Sequence, residues 1–282
     1  MPESFFEQTL RVLEQAKKVN ESIACFNYVA EERALKKARE LDERQARGEA
    51  LGKLAGVFVS VKDSVCVEGM PSTAGSALLK NYLPPFSATV VERVEREDAI
   101  IIGKTAMDEF GFGSFSTNVG VGFIPPRNPL DSRRVCGGSS GGSAASVSAL
   151  PVSSIAESTG GSITCPASFC GVVGLTPTYG RVSRWGLIDY ASSLDKIGSM
   201  GKSVREASAL LGVMQGFDER DFTSSSKPLF KQTSEASAKK SLVVPRELLD
   251  SCSPGVQKVF LDSCSKLESH GFSITAESVP LF

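Results

Sequence analysis

Three stretches decide the fold: residues 56–62, G-V-F-V-S-V-K; residues 88–97, A-T-V-V-E-R-V-E-R-E; and residues 99–104, A-I-I-I-G-K. The first and third are β-branched, apolar and short, which predicts strands. The second carries its valines at helical spacing and predicts a helix, with Ser87 placed to cap its N-terminus. Strand, helix and strand in that order make a βαβ unit and hence an α/β fold with parallel strands. Outward from this unit, residues 151–156 read as a further strand. Residues 203–214 read as a helix capped by Ser203, and residues 241–244 and 272–276 as strands around a helix near 254–269. Residues 3–47 read as helical, with apolar spacing over Phe5–Ala16 and Ile23–Leu41 and a natural stop at Gly48, so residues 1–48 form an N-terminal helical layer. The Ser- and Lys-rich residues 223–240 read as a surface loop.

Composition narrows the function. The chain has 282 residues, 41% of them apolar, enough to bury a full core without staples. A net charge of -1 argues against a broad basic field that would grip nucleic acid directly. No run approaches the ~18 apolar residues of a membrane span. The opening M-P-E-S-F-F-E-Q lacks the basic and apolar regions of a signal peptide, which predicts a cytoplasmic protein. Seven scattered cysteines, odd in number and without a C-x-x-C, fit free thiols in a reducing compartment. One histidine, His270, leaves almost nothing to build a zinc site, so no metal is expected.

Chemistry concentrates in residues 136–180, where C-G-G-S-S-G-G-S-A-A and E-S-T-G-G-S-I-T mix glycines with serines. Such turns let backbone N–H groups approach a ligand closely. Phosphate binding fails on context: Gly103-Lys104-Thr105 resembles the end of a P-loop, but Asp98 stands where that loop needs glycine, and the residues between are strand. A Ser-His-Asp hydrolase is met literally by Gly137-x-Ser139-x-Gly141 with Asp189, Asp195 and His270 downstream. Its nucleophile elbow needs a buried strand before the serine, whereas residues 127–136 are polar and contain Pro129. A serine nucleophile with a lysine base is the third reading. Lys62 is the candidate base, because alternation puts Phe58, Ser60 and Lys62 on one strand face. Spacing alone favours a strand-end lysine that snorkels to water.

Taken together, G-V-F-V-S-V-K-D, I-I-G-K-T-A-M-D-E-F-G-F-G-S, G-G-S-S-G-G-S-A, T-G-G-S-I and P-A-S-F-C-G-V-V-G-L-T-P-T-Y-G-R-V-S-R-W-G resemble the amidase signature family, in its order, over at least residues 50–205. L-T-P-T-Y-G-R-V-S-R-W-G-L and S-S-L-D-K-I-G are most similar to the A subunits of glutamyl/aspartyl-tRNA amidotransferases within it. The resemblance implies a mixed, largely parallel β-sheet core flanked by helices, with the N-terminal helical segment part of one domain. It implies a Ser, cis-Ser, Lys triad: Ser162 as nucleophile, Ser139 as the bridging serine after a cis peptide, and Lys62 as base. The turn Thr159-Gly160-Gly161 would supply the oxyanion site, and Ser114 a substrate contact. Ser140 would act as a supporting hydrogen-bond residue or a plain turn serine.

The implied activity is release of ammonia from glutamine. Partner B and C subunits would complete a heterotrimer acting on mischarged Glu-tRNA(Gln) or Asp-tRNA(Asn), with ATP and Mg used by the partner and no cofactor in this chain. A free-standing amidase on another carboxamide and a non-catalytic scaffold are the alternatives. Two positions depart from the family's pattern: Ser158 stands where much of it has Asp, and Thr164 where much of it has Arg. The segment between the two serines is about one residue shorter than usual. Family members are longer than 282 residues, so the domain is expected to be incomplete at its C-terminus, with the groups that hold the glutamine α-amino and α-carboxylate beyond Phe282.

Overall fold

The computed structural model describes residues 3–227 and 240–279. The chain divides into two compact units, Met1–Lys231 and Gln232–Phe282. Most of the predicted surface loop at 223–240 lies outside the described residues.

The first unit opens with α1 (Phe5–Ile23), whose Ser4 and Glu7 form a reciprocal capping box. Then come a strand, β1 (Phe26–Val29), and α2 (Glu31–Ala46). The sequence expectation of unbroken helical spacing from Ile23 to Leu41 is corrected here. Ala24 turns into the left-handed region and ends α1, and Phe26–Val29 pairs antiparallel with a later strand. Four residues are too few for periodicity to register, and the partner lies far along the chain. Gly48, also left-handed, closes the layer as expected.

The βαβ unit is present as β2 (Phe58–Lys62), α3 (Thr89–Arg96) and β3 (Ile100–Thr105), with β2 and β3 parallel. Ser87 does not cap α3. The N-cap is Ala88, and the Ser87 hydroxyl instead accepts from the Glu68 N–H at 3.0 Å. Next follow α4 (Gly141–Ala149), β4 (Ser153–Ser158), α5 (Thr164–Phe169), β5 (Val173–Leu175), β6 (Lys196–Gly201) and α6 (Val204–Met214). The strand expected at 151–156 is shifted, because Pro151 has no N–H to give a ladder and pairing starts at Ser153. Strands β5 and β6 have no periodic signature in the sequence. The glycine-rich K-I-G-S-M-G is held as β6 by its two neighbours, β4 and β5. Ser203 caps α6, accepting from the Glu206 N–H.

The six strands form one mixed sheet in the order β1-β3-β2-β4-β6-β5. The central β3, β2 and β4 run parallel; β1 and β6 are antiparallel to their neighbours, and β5 turns back to the central direction. Alternation along the strands sends side chains into two cores. Phe58, Ile100, Ile102 and Ala156 join Val12, Leu13, Ala38 and Leu41 from α1 and α2, and Ala144, Ala145 and Val147 from α4. Val59, Val61, Ile101 and Ile155 join Val90, Val91 and Val94 of α3 and Leu210, Leu211 and Met214 of α6. Helix α4 is built of small residues and lies tight on the sheet. A Cβ at Gly142 would sit 2.5 Å from the Ala106 backbone, and the Ser146 and Ser143 hydroxyls bond those of Ser60 (2.9 Å) and Thr105 (2.7 Å).

The second unit holds β7 (Ser241–Pro245), α7 (Arg246–Asp250), α8 (Pro254–Ser269) and β8 (Ser273–Glu277), with β7 and β8 parallel; β7, α8 and β8 match the strands and helix read from the sequence, and the one-turn α7 is not among them. No helix among the described residues is long and apolar enough to cross a membrane.

Candidate active site

Strand β2 delivers Lys62 into a wholly buried position, 0% exposed, so it does not snorkel. Its Nζ has three oxygens in reach: Ser139 Oγ at 2.8 Å, Glu157 Oε2 at 2.8 Å and the Glu157 carbonyl at 3.2 Å. Ser139 is itself buried, and the Gly138–Ser139 peptide is cis. The chain before it can approach only because it is glycine. A Cβ at Gly138 would lie 2.2 Å from Asp108 Oδ2 and 2.7 Å from the Ser116 nitrogen. Asp108 fixes that facing loop by accepting from the Ser116 and Asn118 N–H groups at 3.0 and 2.9 Å, and the Ser116 hydroxyl accepts from the Gly141 N–H at the start of α4.

Ser162 lies at the end of the turn that leaves β4, two residues before α5, and is 8% exposed. Its carbonyl accepts from the Ser140 N–H at 3.3 Å, which ties the turn to the Ser139 segment. The Ser140 hydroxyl donates to the Glu157 carbonyl at 2.9 Å, a strut between the two segments. Among the described residues no hydrogen bond joins the Ser139 and Ser162 hydroxyls.

The turn itself is open. Cβ atoms at Gly160 and Gly161 would meet nothing within 4 Å. The Gly161 N–H is taken by the Ser158 hydroxyl at 3.1 Å, whereas the Gly160 and Ser162 N–H groups have no hydrogen-bond acceptor among the described residues. Ser158 therefore braces this turn from within, at a position where the resemblance led us to expect a charge. Thr164 does not replace the missing cation; its hydroxyl makes only a long 3.5 Å contact with the Gly161 carbonyl. The Thr159 hydroxyl is engaged by two carboxylates: its Oγ1 lies 2.5 Å from Asp195 Oδ1 and 3.2 Å from Glu157 Oε1. Lys196 holds the Thr159 carbonyl at 2.8 Å. Ser114 is exposed on the 112–118 loop, and its carbonyl is 3.7 Å from the Cys165 Sγ, three residues past Ser162.

Sequence reasoning missed Glu157, Tyr190 and the structural use of Asp195. Glu157 is 3% exposed on β4, among small and apolar residues. A carboxylate so placed needs a buried cation, and that was its signal. Asp195 accepts from the Tyr190 and Ala191 N–H groups, both at 3.0 Å, and so folds the 189–195 loop toward Thr159. The Tyr190 ring packs against Phe112 at a 46° tilt with centroids 4.4 Å apart, and Gly111 lies between that ring and the Ser139 hydroxyl. His270 belongs to the second unit, where it caps the end of α8, is exposed, and bonds the Lys266 carbonyl at 2.8 Å. Lys104, the P-loop candidate, is buried on β3 against Ser72 (2.7 Å) and Asp63 (3.3 Å), a structural pair. Cavities of about 370 and 480 Å³ open elsewhere in the first unit and are not lined by Lys62, Ser139 or Ser162.

This arrangement can do acyl chemistry. It has a serine beside two free N–H donors and open space, with a lysine–serine pair directly behind it. Comparison with known proteins gives it a family. The amidase family model matches residues 7–282. The chloroplastic/mitochondrial glutamyl-tRNA(Gln) amidotransferase A subunit of Arabidopsis thaliana is 46% identical over 92% of this chain and 50% of that protein. The corresponding A subunit of Clostridium botulinum (strain Eklund 17B / Type B) is 42% identical over 98% of this chain and 57% of that protein. The crystal structure of the glutamyl-tRNA(Gln) amidotransferase A subunit from Thermotoga maritima superposes with a TM-score of 0.84 at 36% identity, covering 97% of this chain and 59% of that one. A structure described as a vestigial protein complex bearing on the origins of an s-triazine catabolic enzyme superposes at 0.89 with 31% identity, over 97% of this chain and 60% of that one. The chain thus spans about half the length of the curated relatives it matches. With its mixed sheet, its two glycine-framed serines and this match along nearly all its length, the chain belongs to the amidase family.

Proposed function

We propose that this chain hydrolyses a carboxamide through Ser162, Ser139 and Lys62, and that its substrate is glutamine, from which it releases ammonia for tRNA-dependent transamidation. The observation that carries the reading is the buried 2.8 Å contact between Lys62 Nζ and Ser139 Oγ, with the Ser162 turn tied to the same segment through Ser140. Neutral Lys62 takes the Ser139 proton as Ser139 takes the Ser162 proton, and Ser162 Oγ attacks the carboxamide carbon. The oxyanion is met by the Gly160 and Ser162 N–H groups; one such donor is worth about 3 kcal/mol of barrier. The proton returns through Ser139 to the departing ammonia, and water then cleaves the acyl-enzyme to glutamate. Tyr190 and Phe112 form one wall near Ser139, and Ser114 lies on the loop facing α5.

In this reading the chain is one amidase domain that works with B and C subunits in the cytoplasm. ATP and Mg serve the partner that acts on Glu-tRNA(Gln) or Asp-tRNA(Asn). The similarity to amidotransferase A subunits of bacteria and plant organelles supports it. The test is ammonia release from glutamine by this chain mixed with purified B and C subunits. Release that disappears in Ser162→Ala is expected; release that persists in Ser162→Ala would refute the assignment.

A further inference from the structure

Lys62 has a second partner that the reaction scheme does not use. Glu157 presents both a side-chain oxygen and its carbonyl to Nζ, and both residues are closed off from water, at 0% and 3% exposure. An ammonium has three N–H groups, and three oxygens stand around Nζ. A neutral amine also fits, with two N–H groups on Glu157 and its lone pair facing the Ser139 hydroxyl, but the Glu157 carboxylate then has no counter-charge in a dry site.

Among the described residues nothing else nearby supplies one. The Thr159 hydroxyl has a single proton between Asp195 (2.5 Å) and Glu157 (3.2 Å) and gives it to the nearer. The neighbouring cations are committed: Lys196 to the Thr159 and Leu194 carbonyls, and Lys104 to Asp63 and Ser72. Asp108 and Asp195 add negative charge, each already satisfied by backbone N–H groups. Tyr190, behind Gly111, and Cys165, three residues past Ser162, are further titratable groups beside the site.

We infer that Glu157 is a positioning residue that holds Lys62 as an ion-paired ammonium, so that Lys62 serves Ser139 as a base only after the pair gives up a proton. The activating step is loss of one Lys62 proton to a solvent base, leaving the amine lone pair toward Ser139 and the Glu157 carboxylate in place. This rests on the proposed Ser162–Ser139–Lys62 reading, and the two are separable by experiment.

The test is the rate of covalent labelling of Ser162 in the full chain by a fluorophosphonate probe, which needs an activated serine but no glutamine pocket. It is measured from about pH 6 to about pH 10, where an unperturbed lysine is half-charged near the upper end. The unsubstituted chain is expected to label slowly at neutral pH and faster through the alkaline range. Glu157→Gln, close in shape, is expected to label about tenfold faster near pH 7. The gain is expected in the maximal inactivation rate and not in the probe's half-saturating concentration, a split that a purely structural role does not produce. Superimposable profiles for the two proteins would overturn the inference, as would a flat profile in the unsubstituted chain, a result that stands even if the variant does not fold. Failure of every folded form to label Ser162 at any pH would overturn the triad reading and this inference with it.

Discussion

Replacing Lys62 by methionine removes one half of the buried pair and leaves Glu157 facing an apolar end group. The two charges are 2.8 Å apart and almost wholly enclosed. At an effective dielectric constant of about 20, Coulomb attraction at that distance is about 6 kcal/mol, before the desolvation of both ions is subtracted. Removing one partner of such a pair characteristically costs about 3–5 kcal/mol, because the other charge stays buried alone. Removing both in Lys62→Met/Glu157→Gln takes away the orphaned charge, so the double variant is expected to recover at least about 2 kcal/mol relative to the sum of the single variants. Trp185, the chain's one tryptophan, lies in the first unit, so its fluorescence in a urea titration follows that unit specifically. A Lys62→Met variant within about 1 kcal/mol of the parent, or single effects that simply add, would refute the view that Lys62 and Glu157 form a dry ion pair.

Further outcomes follow from the same geometry. Burial pushes the Asp98 carboxyl up, but hydrogen bonds from Arg44, the Gly52 N–H and Lys37 outweigh it and hold it at about 2, below its usual 3.8. That depressed value contributes about 2 kcal/mol above pH 4, lost as the pH falls toward 2. Asp98→Asn should therefore lower stability at neutral pH and flatten this acid limb in a pH series of urea melts. Gly138→Ala places a methyl 2.2 Å from Asp108 Oδ2 and should abolish Ser162 labelling, whereas Gly160→Ala, with nothing within 4 Å, should keep the fold and melting temperature of the parent. Ser158→Ala frees the Gly161 N–H from its 3.1 Å bond and loosens the turn, so it should slow labelling by about tenfold with little change in global stability.

Much of this was legible in the sequence for reasons that can be named. The βαβ unit shows because its strands, buried on both faces, are rich in Val and Ile, and its helix has a clean 3.6-residue period. The serines show because glycines stand directly before each of them, and Gly138 is needed as glycine by the close approach of Asp108. What did not show depends on partners distant in the chain. Phe26–Val29 is a strand because β3 offers it an edge nearly eighty residues away, and Lys196–Gly201 is one because β4 and β5 flank it. Ser87 looks like a cap but serves the Glu68 N–H, since the chain entering α3 is already fixed by the Ala88 N–H bond to the Cys66 carbonyl. Lys62 read alone suggests a solvated strand end. It is buried because Glu157 and Ser139 converge on it from β4 and the α4 approach, a convergence that exists only in three dimensions.

The measurement that bears most directly on the central claim is peptide mapping of the chain after reaction with a sulfonyl fluoride, on protein shown to be folded. The account predicts a single adduct, on Ser162, that is lost in Lys62→Ala. A folded chain that takes no adduct, or one that carries it on another serine with Ser162 untouched, would contradict it.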